Sequence, residues 1–324
     1  DEIQEVFSRQ VKEPIEEEKI KQDLPRLEEI TDSISSEVRS QYEENPYPRW
    51  VNLGLNLEPA PISKVVEETQ LKLHCEKINK TKNPDILIAG CGTGQHSITT
   101  AARFKSSKVL AIDLSLSSLA YAKRKTEELG IENIDYMQAD ILDLGKLNKQ
   151  FDIIESVGVL HHMDNPMKGW KVLTDCLKPG GLIRIGLYSE IARQHIVKIK
   201  EEISQLGIGS SDSEMRSFRV MIIESDKEHQ KLTINSPDFY SLSTLKDLIF
   251  HVQEHRFTIP LIKDHLNKLG LKFCGFESSK IVRHFKPNNK QKEDPYDLDK
   301  WKVYEEANPR AFAGMYQFWC QKDN

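Results

Sequence analysis

Residues 86–94 read Ile-Leu-Ile-Ala-Gly-Cys-Gly-Thr-Gly. Four apolar residues without alternation mark a strand buried on both faces. The run ends in Gly90-x-Gly92-x-Gly94. Glycines at a strand end permit a tight turn and let a ligand approach the backbone closely. Ile98, Ala101, Ala102 and Phe104 follow at helical spacing, so the stretch reads strand, glycine turn, helix. Val109–Ile112 is a second strand, ending at Asp113, 19 residues after Gly94. In a doubly wound sheet the tips of these strands are neighbours, so a ribose carried over the turn meets the Asp113 carboxylate.

The rhythm continues outward. Leu116–Leu129 reads as a helix stopped by Gly130. Ile134–Gln138 is a third strand, leading into Ala139-Asp140, and Asp152–Ser156 a fourth. Pro166–Leu177 is a helix with Pro in its first turn. Pro179-Gly180-Gly181 turns the chain into a fifth strand, Leu182–Leu187. Residues 188–257 break the pattern with helical and loop segments. Thr258 then caps a helix over Ile259–Leu269, Leu271–Phe276 is a strand, and Met315–Cys320 is the last. Lys280, Arg283, Lys286, Lys290 and Lys292 mark a basic loop. Upstream, Ile62–Ile78 reads as a helix, and residues 1–40 as short helices or a linker, partly disordered. Alternating strands and helices imply an α/β fold with a parallel sheet.

Spacing in the turn separates ligand classes. Dinucleotide sites favour GxGxxG, with the helix N-terminus facing a pyrophosphate. Here the third glycine falls one residue early and Gln95 holds the dinucleotide position. That form resembles the loops that take S-adenosylmethionine, which has no pyrophosphate. The turn with Asp113 admits a nicotinamide dinucleotide or another adenosine ligand, and the spacing favours the latter.

Composition limits the remaining classes. The 324 residues carry 45 basic and 50 acidic side chains. Residues 1–30 hold ten acids and five bases, so the rest balances at 40 of each. No basic footprint for nucleic acid is present. No window reaches the ~18–20 apolar residues of a membrane helix. Five cysteines without a CxxC pair read as reduced thiols in a cytoplasmic protein, with no zinc site and no other metal expected. The chain starts at Asp1, which we read as a fragment or a processed product.

ILIAGCGTG (86–94), VLAIDLS (109–115), MQADILD (137–143), FDIIESVGVLHH (151–162) and LKPGGLIRI (177–185) together resemble class I S-adenosylmethionine-dependent methyltransferases. The resemblance implies a doubly wound seven-stranded, mostly parallel sheet of Rossmann-like form. Its last strand, here Met315–Cys320, runs antiparallel between the fifth and sixth. It also implies a cofactor site. Gly90, Cys91, Gly92, Thr93, Gly94, Gln95 and His96 lie against the methionine portion. Asp113, with Leu114 and Ser115, takes the ribose hydroxyls. Asp140 and Ile141 face the adenine, and Ser156 and Val157 flank the sulfonium. QYEENPYPRW (41–50), FHVQEHRFT (250–258) and FAGMYQFWCQK (312–322) resemble a bacterial subgroup often found behind tetratricopeptide repeats. Surface-protein lysine methyltransferases of intracellular bacteria are related to it. A protein lysine acceptor and a missing N-terminal repeat domain are the corresponding expectations.

Methyl transfer requires a nucleophile held in line with the methyl–sulfur bond, ~3–3.5 Å away, and exclusion of water. An amine must first lose its proton. His161 and His162 follow the fourth strand, where open α/β sheets bind ligands, and with Tyr188 they are the catalytic candidates. Glu155, inside that strand, must be paired or stand at a sheet edge. Tyr42, Tyr47, Arg49 and Trp50 form an aromatic and basic cluster, read either as a lid in which Arg49 meets the methionine carboxylate or an acidic acceptor group, or as an anchor that fastens the N-terminal segment to the body by aromatic burial. Tyr240, His251 and His255 complete the acceptor-side candidates, the two histidines four apart and so expected on one helix face. We expect a lid segment over residues 1–50 and a methyltransferase domain over 51–324 with its acceptor insertion at 188–257. The reaction expected is methyl transfer from S-adenosylmethionine to a nucleophile, leaving S-adenosylhomocysteine. Alternatives are a tRNA wobble-base modifying transferase and a silent cofactor-binding scaffold. Oligomeric state is not legible.

Overall fold

The computed structural model describes residues 2–48, 50–55, 58–286 and 291–324. Seven strands form one sheet: β1 (Asp85–Ala89), β2 (Lys108–Asp113), β3 (Ile134–Gln138), β4 (Phe151–Val157), β5 (Leu177–Leu187), β6 (Leu271–Phe276) and β7 (Tyr316–Lys322). Their order is β3-β2-β1-β4-β5-β7-β6. Strands β3 to β5 are parallel, and β7 runs antiparallel between β5 and β6. The order reverses between β1 and β4, which opens a crevice at their C-terminal tips.

Ile86, Leu87, Ile88 and Ala89 are fully buried, as a central strand covered on both faces must be. On one face Trp170, Leu173, Phe318 and Trp301 pack against alternate strand residues. On the other, Ile86, Ile88, Phe104 and Leu119 do so. The inserted helices Gln194–Leu206, Asp212–Ile223, Glu228–Ile234 and Leu242–Ile249 enclose a core of their own, built on Ile199, Phe218, Phe239 and Leu245. Chain exit and return are clamped together, since Phe257 N–H donates to the Tyr188 carbonyl and Glu190 N–H to the Phe257 carbonyl, both at 2.8 Å.

Local structure departs from the sequence expectations in four places. The N-terminal region is ordered as helices, including Glu13–Asp23 and Ser33–Glu44. Arg124 fastens the first of these through Glu13 and Glu17, each at 2.9 Å. Pro25 and Leu27 then extend the sheet edge by pairing with Gln138. The helix expected over Ile62–Ile78 stops at Glu68. Gln70 turns with φ 56°, and Lys72 N–H donates to the Cys274 carbonyl at 2.9 Å, so Leu71 and Leu73 belong to an extended edge segment. Part of the basic loop is a helix, Ser279–Phe285, because Phe285 stacks on Trp301 at 3.8 Å. Lys290 lies outside the described residues. Pro179-Gly180-Gly181 is a bend inside β5, with Gly180 at φ 74°.

Candidate active site

At the C-terminal tip of β1 the chain turns through three glycines, and the helix Gln95–Arg103 begins. Gly94 has φ 86°, and a Cβ there would sit 2.7 Å from the Cβ of Ala122. This glycine therefore permits close contact with the helix Leu116–Glu128, the task that the third glycine of a dinucleotide loop performs one residue later. Gly92 N–H donates to Asp113 Oδ2 at 2.8 Å and Ser115 N–H to Oδ1 at 3.0 Å. Asp113 thereby ties the tips of β1 and β2 together. Burial raises its pKa, and these donors oppose the rise. Asp140, at the tip of β3, accepts from Leu142 N–H at 2.9 Å and from the Ser35 hydroxyl. Burial raises its pKa as well.

These groups share one cleft of about 250 Å³, open to solvent. Gly90, Cys91, Gly92, Gln95 and His96 line one wall, and Asp113, Leu114, Asp140 and Ile141 another. Val157 and His162 stand at the β4 end, with Tyr188 beside them. Tyr42 and Tyr47 reach in from the N-terminal segment. Beneath the turn, Glu155 is fully buried and paired, as its place in the strand demands. His96 Nε2 lies 2.6 Å away and Arg184 Nη1 3.2 Å away. Burial pushes the Glu155 pKa up, but the His96 and Arg184 interactions outweigh it and hold the carboxyl at about 2.

The acceptor end is a hydrogen-bonded chain. Gln253 N–H donates to His251 Nδ1 at 3.2 Å, which puts the His251 proton on Nε2, 3.2 Å from the Tyr42 oxygen. Tyr42 in turn donates to Asp247 Oδ1 at 2.6 Å. His162 donates from Nδ1 to the Gln253 carbonyl at 2.7 Å, leaving Nε2 with a free lone pair. Burial lowers the pKa of both histidines, that of His251 to about 2, so both are neutral imidazoles. Asp247 is held up at about 6, chiefly by burial.

Among the described residues, ligand atoms of His162, Asp247 and His251 lie within 4.8 Å of one another. The two imidazoles are stacked, with centroids 3.6 Å apart and planes at 19°. Their in-plane lone pairs therefore run side by side instead of converging on an ion, and His251 uses its Nε2–H toward Tyr42.

Several expected site residues lie elsewhere. Thr93 and Ser115 are fully buried: Thr93 donates to the Pro48 carbonyl, and Ser115 caps the following helix. Ser156 is buried within the sheet. Trp50 packs behind the turn, with Nε1 3.1 Å from the Thr93 carbonyl and its ring edge-on to Tyr121. His161 is fully buried outside the cleft, its ring tilted 31° against that of Tyr188 with centroids 3.9 Å apart. Tyr240 is 61% exposed on the insertion's outer side. The helix ends at Ile249, so His251 and His255 share no helix face, and His255 Nε2 turns to the Asp164 carbonyl at 3.1 Å. Arg49 lies outside the described residues.

The cleft also holds residues that the sequence reading missed: Ser35 and Val38 of the Ser33–Glu44 helix, Met315 before β7, and Asp247. Only Asp247 left a trace in sequence, as an acid set against Leu248 and Ile249 in an apolar helix.

The positive-φ glycines, the paired carboxylates and the room beside them fit an adenosine sulfonium. Residues 86–181 match the methyltransferase domain family. Sheet order, cleft and domain match agree on a methyltransferase domain of the class I, S-adenosylmethionine-dependent type. An uncharacterized protein of a Synechococcus strain is 30% identical over 233 residues, covering 68% of this chain and 56% of that protein. The mitochondrial ubiquinone biosynthesis O-methyltransferase of Dictyostelium discoideum is 26% identical over 147 residues, covering 40% and 45%. The chain thus spans about half the length of these curated relatives. PKMT2 from Rickettsia typhi, solved in complex with S-adenosylhomocysteine, shares the fold with a TM-score of 0.58. Identity is 16% over 85% of this chain and 55% of that one. Among the described residues no helix is long and apolar enough to cross a membrane.

Proposed function

We propose that this protein moves a methyl group from S-adenosylmethionine to a protein lysine side chain. The observation that carries the reading is the shared cleft: the glycine turn, Asp113 and Asp140 open directly onto a wall of Tyr42, Tyr188, His162 and Asp247. In this reading the turn cradles the methionine portion, Asp113 takes the ribose hydroxyls and Asp140 faces the adenine amino group. Bound there, the cofactor supplies an electrophilic methyl. The chain's own residues position the nucleophile, exclude water and take up its proton. Segments on both sides of the sheet tips, the Ser33–Glu44 helix and the insertion, line the cleft and limit solvent access.

The likeness to PKMT2 covers 85% of this chain with a TM-score of 0.58. That is consistent with a protein acceptor. A tRNA acceptor fits less well, because no Lys or Arg lines the cleft among the described residues. The test is transfer of a tritiated methyl group into fractionated cell extract, followed by acid hydrolysis of the labelled protein. Methylated lysine in the hydrolysate is the expected result. Label confined to RNA or small molecules, or no label at all, overturns it.

A further inference from the structure

Asp247 sits on the Leu242–Ile249 helix of the insertion, 6% exposed, with its carboxylate in the cleft wall. One hydrogen bond from Tyr42 reaches it, and among the described residues no Lys or Arg lies within 4 Å of it. The nearby cations are committed elsewhere. Arg193 binds Glu254 at 2.8 Å and lies 3.6 Å over the Tyr188 ring. Lys246, the neighbour in sequence, pairs with Glu44 at 3.1 Å. A buried carboxylate without a counter-cation is costly, and the cost falls when a ligand brings the cation. Tyr42 and Tyr47 line the same end of the cleft, and aromatic faces attract ammonium groups.

We propose that Asp247 and the rings of Tyr42 and Tyr47 form a seat for an ammonium group. The acceptor enters as an aliphatic amine in its cationic form, and not as a phenol, a carboxylate or a phosphate. This inference rests on the methyl-transfer reading and specifies the acceptor end of that site. For transfer, one N–H proton passes to the Asp247 carboxylate. The freed lone pair forms the N–C bond as the methyl–sulfur bond breaks, and the positive charge lost from sulfur reappears on the methylated nitrogen.

The experiment is a calorimetric titration of the whole chain with n-butylammonium chloride and, separately, n-butanol. Both are run with and without S-adenosylhomocysteine, so the ammonium result does not depend on the nucleoside. The expected result is binding of n-butylammonium about tenfold or more tighter than n-butanol, with the preference abolished in Asp247→Asn. An unchanged affinity of that variant for S-adenosylhomocysteine shows that its cleft is intact. Equal binding of the two probes by the unaltered chain overturns the seat, whatever the variant does. So does a preference that survives in a folded Asp247→Asn. The functional reading fails separately, through absent S-adenosylhomocysteine binding or label entering RNA.

Discussion

His96 Nε2 lies 2.6 Å from Glu155 Oε2, so a carboxylate in the middle of the sheet holds a side chain at the wall of the cleft. Arg184 and Thr100 share the same carboxylate at 3.2 and 3.3 Å. Three elements therefore converge on one buried charge: β4, β5 and the first two turns of the helix after the glycines.

Glu155→Gln removes that charge and leaves Arg184 partly uncompensated. Breaking a buried pair of this kind costs roughly 3 kcal/mol. Because the Glu155 pKa is depressed from an ordinary 4.5 to about 2, its contribution is complete above about pH 4.5 and is lost as pH falls toward 2. Urea denaturation at pH 7 and pH 3 should show the difference between parent and variant shrinking at the lower pH. A constant difference contradicts the linkage.

Asp247 has the opposite sign. Its pKa is raised to about 6, so between about pH 4 and pH 6 the folded chain holds a proton that the unfolded chain has released. Its contribution to stability therefore declines as pH rises through that window. Asp247→Asn should match the parent near pH 4 and exceed it by about 2–3 kcal/mol above pH 6, while losing methyl transfer. Thermal melts across pH 4–8 check the first half and tritium incorporation the second. A variant less stable than the parent at pH 7 contradicts this account.

Gly94→Ala puts a Cβ 2.7 Å from Ala122 on a backbone with φ 86°. Strain and overpacking together should cost roughly 2–4 kcal/mol and push the following helix away from its neighbour. The check is the denaturant midpoint together with calorimetry of S-adenosylhomocysteine. A variant with parental stability and affinity removes the close-packing role assigned to this glycine.

Asp113→Ala deletes the acceptor shared by the Gly92 and Ser115 amides at 2.8 and 3.0 Å, and with it the proposed ribose contact. Losing charge-assisted hydrogen bonds of this strength should weaken S-adenosylhomocysteine binding by at least about tenfold, measured by calorimetry. Asp113→Asn keeps one carbonyl acceptor and should fall between. Equal affinities for all three chains exclude Asp113 from the nucleoside site.

Much of the sheet was legible because its signals are local. An apolar run such as Ile86–Ala89 has few alternatives to a buried strand, and a glycine turn followed by Asp113 names its own neighbours in a parallel sheet. Residues near β-strand tips, such as Gln95, Ile141 and Val157, were accordingly placed in the cleft. Trp50, Tyr240 and His255, expected at the site as well, lie outside the cleft, because composition names a residue's chemistry but not the side on which its segment packs. The helix expected through Leu71 and Leu73 failed for a related reason. Two leucines two apart fit a helix face poorly and a sheet edge well, and only β6 beside them decides between the two.

The sequence by itself determined the strand–turn–helix core and the carboxylates at its tips, because backbone geometry there depends on residues close in the chain. Tertiary structure alone decided the acceptor end. Tyr42 and Asp247 are 205 residues apart, yet 2.6 Å separates their oxygens. No local pattern encodes that meeting, which depends on how a satellite core of inserted helices docks over the sheet.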